Sequence, residues 1–206
     1  MDDLSGIHGL PFAGPGGFDT VYRSGAPPWD IGRPQPAFEA LAGAGLVEGR
    51  VLDAGCGTGE HALMAAALGL EVTGIDFAAT AVRAARGKAR DRGLEVRFVE
   101  GDALDLPALG ETFDTVLDCG LFHVFDDDDR AAYVRSLAAV TSAGARCFLL
   151  CFSELVPGDA GPRRVRRDEI RAAFTDGWRV DAIEASTISS ALGPPVPAWL
   201  ATIKRS

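Results

Sequence analysis

Glycines and carboxylates concentrate in two stretches, Val51-Leu-Asp-Ala-Gly-Cys-Gly-Thr-Gly-Glu60 and Val72-Thr-Gly-Ile-Asp76. They read as an apolar strand, a loop with glycines at 55, 57 and 59, a helix, and a second strand ending in a carboxylate. Glycine serves where φ must be positive or where a ligand lies against bare backbone. A loop that opens into a helix presents unpaired N–H groups to an anionic ligand. Asp76, at the carboxyl end of its strand, can accept hydrogen bonds from both hydroxyls of a ribose. The pattern predicts a site for an adenosine-containing cofactor.

Spacing narrows the cofactor. Dinucleotide-binding loops read G-x-G-x-x-G, the third glycine letting the helix pack beneath a pyrophosphate. Here that position is Glu60, whose charge would repel a pyrophosphate, which weakens an NAD-linked reading. No G-x-x-x-x-G-K-[ST] run occurs, which excludes a P-loop. The D-x-G-x-G-x-G form, Asp53 to Gly59, resembles motif I of class I S-adenosylmethionine-dependent methyltransferases. That resemblance implies S-adenosylmethionine bound along Gly55, Cys56, Gly57 and Gly59, with Asp53 facing the methionine ammonium and Asp76 on the ribose. Glu100-Gly101-Asp102-Ala103 follows the third strand. By the same resemblance Asp102 meets the adenine amino group, with Gly101 and Ala103 beside the ring. Phe77 packs on the adenine or on the core. Asp118-Cys-Gly-Leu-Phe-His123 follows the fourth strand and is expected to line the sulfonium and substrate side.

Upstream, Pro28-Trp-Asp-Ile-Gly-Arg-Pro-Gln-Pro36 resembles the P-W-D-x-G-R-x-x-P segment of the thiopurine and thiol/halide methyltransferase branch. The likeness runs from Phe18 to Lys204, with echoes at Phe113-Asp-Thr-Val-Leu-Asp-Cys-Gly-Leu-Phe122 and Gly161-Pro-Arg-Arg-Val-Arg-Arg-Asp168. It implies that Trp29 covers the cofactor, with Tyr22 and Phe18 as further aromatics. A departure lies at Phe152, where the plant halide and thiol enzymes carry tyrosine. Loss of that hydroxyl puts halide transfer in doubt and leaves a more apolar pocket. Gly120 widens the space behind the fourth strand, so the expected acceptor is larger and flatter.

Among the polar candidates, His123 suits a general base or a hydrogen bond to the acceptor, with a bond to backbone at the strand-helix junction as the other reading. Arg33 either pairs with an acidic group of cofactor or acceptor, or fixes the lid to Asp30. Phe122 and Phe152 are expected beside the acceptor. His61 approaches the cofactor carboxylate or faces solvent, and His8 has no assigned role. Arg163, Arg164, Arg166 and Arg167 read as a solvated loop, with steering of an anionic acceptor as the other reading. The tetrad Asp126-Asp-Asp-Asp129 precedes a helix and reads as capping rather than as a metal site.

The 206 residues suffice for one large domain with a full core. The net charge of −9 counts against a nucleic-acid partner. No apolar run approaches the roughly 18 residues of a membrane span, and the Met1-Asp-Asp start lacks a secretory signal. The four cysteines show no metal-ligand spacing. These features predict a cytoplasmic monomer or homodimer with reduced thiols and no metal.

Residues 1–28, rich in Gly and Pro, read as irregular, and 36–46 as a short helix. Beyond Arg50 strand and helix signals alternate, with strands near 50–54, 71–75, 95–99, 113–118, 144–152, 178–187 and 198–204 and helices near 59–69, 78–92, 127–141 and 167–175. The expected architecture is α/β. By family resemblance it is a Rossmann-like, seven-stranded, mostly parallel sheet with helices on both faces and the last strand antiparallel. Residues 1–48 form an arm and lid, and 49–206 the methyltransferase domain. The expected activity is S- or O-methylation of a small aromatic or apolar thiol or hydroxyl compound by in-line displacement. Methylation of a halide or metalloid anion such as tellurite, and cofactor binding without catalysis, are the other readings.

Overall fold

The computed structural model describes residues 15–158 and 161–206. His8 and the glycine-proline run up to Gly14 lie outside them.

The sheet is built from β1 (Val51–Ala54), β2 (Val72–Asp76), β3 (Arg97–Glu100), β4 (Phe113–Cys119), β5 (Thr141–Phe152), β6 (Trp178–Ser190) and β7 (Gly193–Arg205). Helices α1 (Pro15–Ser24), α2 (Pro36–Gly43), α3 (Glu60–Ala67), α4 (Ala79–Arg92), α5 (Asp127–Val140) and α6 (Arg167–Ala173) accompany it. Strand order is β3-β2-β1-β4-β5-β7-β6, parallel from β3 to β5, with β7 antiparallel to both its neighbours. This is the expected Rossmann-like sheet. Order reverses between β1 and β4, and the crevice beyond their carboxyl ends is where such sheets bind ligands.

Period-two alternation explains the two apolar layers. On β5, Cys147, Leu149 and Cys151 pack on the α5 side with Tyr133 and Leu137. Phe148 and Leu150 pack on the other with Leu63 and Val82 of α3 and α4. Helix α5 is capped as the tetrad predicts: the Asp126 carboxylate accepts the Asp129 N–H at 2.9 Å. No group of His, Cys, Asp or Glu that could hold a metal ion occurs among the described residues. Nor is any described helix long and apolar enough to cross a membrane.

Two regions differ from expectation. Residues 15–24 form helix α1 despite their glycines, because tertiary anchors override composition. Asp19 accepts the Thr80 N–H at the start of α4 at 2.8 Å and pairs with Arg23 at 2.6 Å. Second, the β6–β7 hairpin continues to a turn at Ala191-Leu192, although Pro194, Pro195 and Pro197 mark that stretch as loop. Pairing of β7 with β5 stops at Ala198, so these prolines sit where β7 has one edge free of a ladder.

Candidate active site

A cavity of about 440 Å³ occupies the crevice at the switch point. Its floor comes from the segments after β1 (Gly55 to His61), β2 (Asp76, Phe77), β3 (Gly101 to Leu104) and β4 (Cys119 to Leu121, His123 to Phe125). Phe18, Tyr22 and Trp29 cover one side, and Phe152, Val156, Ile188, Leu192 and Val196 line the other.

Asp76 sits at the hinge of the floor. One carboxylate oxygen accepts the Gly57 N–H and the other the Ala78 N–H, each at 2.8 Å. Burial raises its pKa, and the two N–H donors oppose that shift. Each oxygen keeps acceptor capacity for a ligand hydroxyl. Gly57 has φ +52°, and a Cβ there would lie 2.7 Å from the Tyr22 hydroxyl, so only bare backbone fits beneath the lid. The lid closes on itself: the Trp29 indole N–H donates to the Tyr22 hydroxyl at 2.9 Å, and the Phe18 ring meets Trp29 edge-on at 6.0 Å. Asp30 fixes this segment to the loop by accepting the Thr58 hydroxyl at 2.8 Å. Its other oxygen accepts the Gly32 N–H at 3.2 Å and faces Lys88 at 4.0 Å, and Arg33 stays exposed on the cavity rim. Phe77 is 39% exposed on the wall. Asp102 caps the turn at Ala103 by accepting the Leu104 N–H at 2.7 Å, and it also lines the cavity.

Three residues expected at the ligand do not line the cavity. Asp53 is buried and accepts the Ala62 N–H of α3 at 3.0 Å. Asp118 accepts the N–H groups of Leu121 and Phe122 and the Tyr133 hydroxyl, at 3.0, 3.2 and 2.9 Å. Burial pushes Asp53 up to about 7 and Asp118 up to about 6. Phe122 is fully buried between Phe174 and the Arg130 guanidinium, because the one-turn helix Phe122–Val124 points it inward and its neighbour into the cavity.

That neighbour, His123, is buried against Phe152, ring centroids 4.7 Å apart. Its Nδ1 accepts the Phe152 backbone N–H at 3.0 Å, so the neutral ring carries its hydrogen on Nε2. Burial, followed by the charges of Arg130 and Arg164, pushes its pKa down to about 3. His61 is likewise pushed down to about 4 by burial, and its Nε2 accepts the Gln35 N–H at 3.1 Å. Glu60 is neutralised by Lys88 and Arg92 at 2.8 and 2.9 Å, which ties α3 to α4.

Gln35 and the hairpin residues Ile188, Ser189, Leu192 and Val196 line the cavity without a role read from the sequence. Gln35, buried between two prolines, clamps the lid to the hairpin: its amide exchanges hydrogen bonds with the Ser189 backbone at 3.0 and 2.8 Å. Ala191 N–H adds a third tie to the Pro28 carbonyl at 2.8 Å. Arg164 joins the wall, while Arg163 pairs with Asp127 and Glu169, Arg166 with Asp168, and Arg167 stacks on Trp199 at 4.0 Å.

A methyltransferase domain family matches residues 51–144. A 2-heptyl-1-hydroxyquinolin-4(1H)-one methyltransferase of Mycobacteroides abscessus is 35% identical over 83% of this chain and 80% of its own length. A solved structure from work on conversion of a disulfide bond into a thioacetal group during echinomycin biosynthesis is similar at TM-score 0.84 and 41% identity. The match covers 92% of this chain and 91% of that one. Magnesium protoporphyrin IX methyltransferase from Synechocystis, solved with bound S-adenosylmethionine, shares the fold at TM-score 0.64 and 22% identity, over 92% and 80% of the two chains.

Proposed function

Because this chain belongs to the class I S-adenosylmethionine-dependent methyltransferases and takes S-adenosylmethionine as its cofactor, we propose that it methylates a hydroxyl or thiol on a small, flat, largely aromatic acceptor. The observation that carries the acceptor class is the apolar wall of Phe125, Phe152, Val156, Ile188, Leu192 and Val196, opposite the polar glycine-loop end. Such a wall shields a ring and an aliphatic substituent while a few polar groups orient the reacting atom. The similarity to the heptyl-hydroxyquinolone enzyme supports a ring bearing both a hydroxyl and an apolar chain. The 41% identity to the echinomycin-pathway structure keeps sulfur in the acceptor set.

The residues present fit the cofactor. In this reading Asp76 takes the ribose hydroxyls, Asp102 the adenine edge and Phe77 a ring face. The Gly55, Cys56, Gly57 and Gly59 backbone lies along the methionine end. Asp53 acts one layer deeper, by holding the Ala62 end of α3's first turn. Phe18, Tyr22 and Trp29 exclude water. The bound sulfonium supplies an activated methyl group, so the chain's part is to align the nucleophile and dry the site.

The test is S-adenosylhomocysteine release with the whole chain across hydroxyquinolones, phenols, hydroquinones, aromatic thiols, iodide and tellurite. Turnover confined to the aromatic hydroxyls and thiols is expected. Turnover of the inorganic anions alone would overturn the acceptor class.

A further inference from the structure

The acceptor end of the cavity holds hydrogen-bond donors where a proton acceptor would be needed to activate a neutral hydroxyl. His123 is committed at Nδ1 to the Phe152 N–H, which leaves Nε2–H as a donor. Gly120 keeps that nitrogen uncovered, since a Cβ there would stand 3.2 Å from it. Arg164 is the second donor. Its Nη atoms bind the carbonyls of Pro162, Gly158 and Pro157 at 2.6, 3.0 and 3.4 Å, and its Nε is buried with no partner. Arg164 lines the cavity, and its four Nη hydrogens make three such bonds, so the cation keeps a donor for a ligand oxyanion.

Four of the five carboxylates that line the cavity are engaged elsewhere. Asp30 accepts Thr58, Glu60 is paired with Lys88 and Arg92, and Asp76 and Asp102 accept backbone N–H groups. Asp129 is exposed at the rim. Around the His123 turn, Asp118 lies beneath on β4, held by Tyr133. Arg130 on α5 is paired with Glu169 of α6, and the thiols of Cys119 and Cys151 are pushed well up by burial.

We infer that the acceptor binds as its anion, its charge received by the His123 Nε2–H and the Arg164 guanidinium, so that substrates are compounds whose hydroxyl or thiol ionises near or below neutral pH. This rests on the acceptor class proposed above. An anion arriving from solvent brings its own lone pair. That pair forms the new bond to the methyl carbon as the carbon–sulfur bond breaks, the bonding electrons return to sulfur, and no proton is left to remove. His123 is thus an orienting donor and Arg164 a charge receiver, with neither acting as a base.

The test uses 4-nitrophenol, whose neutral and ionised forms absorb at different wavelengths, with the whole chain saturated with S-adenosylhomocysteine. Its ionisation midpoint should fall by about one pH unit or more on binding, about a tenfold preference for the anion. Arg164→Gln should remove most of that shift and Arg164→Lys restore part of it. An unshifted or raised midpoint, or no binding of either form, overturns the inference. In turnover, the inflection of kcat/KM with pH should move with each acceptor's own acidity, in the parent and in Asp129→Asn alike. An inflection fixed across acceptors, or one abolished by Asp129→Asn, points to a base on the protein and overturns the inference while the acceptor class stands. A lowered midpoint without turnover of any aromatic acceptor instead overturns the acceptor class and leaves the anion site.

Discussion

The Tyr22 hydroxyl accepts the Trp29 indole N–H at 2.9 Å and stands 2.7 Å from where a Cβ on Gly57 would lie. One oxygen therefore joins helix α1, the lid and the glycine loop. Gly57→Ala should displace Tyr22 and strain a left-handed backbone position, which costs about 1–2 kcal/mol on its own. Cofactor affinity by calorimetry should fall about tenfold or more. Unchanged affinity would mean the lid does not bear on the loop.

Trp29→Ala removes the indole that closes the lid but touches neither apolar layer of the sheet. Cofactor dissociation should speed up while the thermal midpoint stays close to the parent's. A variant that retains cofactor normally would disprove the covering role.

Asp76→Ala should weaken S-adenosylmethionine binding by about 1–3 kcal/mol, the range for lost buried hydrogen bonds. It also frees the N–H groups of Gly57 and Ala78, so thermal stability should drop in the free protein too. Asp76→Asn keeps one acceptor and should fall between. Parent-like binding in both variants would remove Asp76 from the site.

The glycine loop and Asp76 were legible in the sequence because their signal is local: backbone conformation and strand-end position fix both within a few residues. Phe122 was misplaced because after β4 a single-residue phase in a one-turn helix decides which side chain faces the cavity, and two neighbouring aromatic-type residues give no phase. Helix α1 was hidden because its glycines argue against a helix, and Asp19's partner Thr80 is distant in sequence. The hairpin wall was hidden by its prolines, whose tolerance depends on β7 having a free edge there.

The buried Asp53 carboxyl predicts a pH effect. A carboxyl whose folded pKa is raised stabilises the fold below its unfolded pKa of 3.8, and that contribution is lost as pH rises through about 7. Asp53→Asn can still accept the Ala62 N–H and lacks this titration. Between pH 5 and 8, without cofactor, the parent should lose more stability than the variant, by something on the order of 1–3 kcal/mol. Parallel denaturation curves across that window would show that Asp53 does not titrate there.

Gln35→Ala breaks both hydrogen bonds to Ser189 and should uncouple the lid from the hairpin. The acceptor KM and the cofactor Kd should rise together, each by about fivefold or more, in line with roughly 1 kcal/mol per hydrogen bond. A rise confined to one ligand would show that lid and hairpin act independently.

The hairpin beyond Ala198 belongs to the cavity but not to the ladder shared with β5. Leu192 is half exposed at the hairpin tip, whereas Ile188 and Val196 also pack on the apolar layer that holds Cys56 of the glycine loop. The hairpin tip thus stands to the rest of the molecule as a rim does to a vessel: its outermost residue, Leu192, is open to change, while the residues beneath it are shared with the wall.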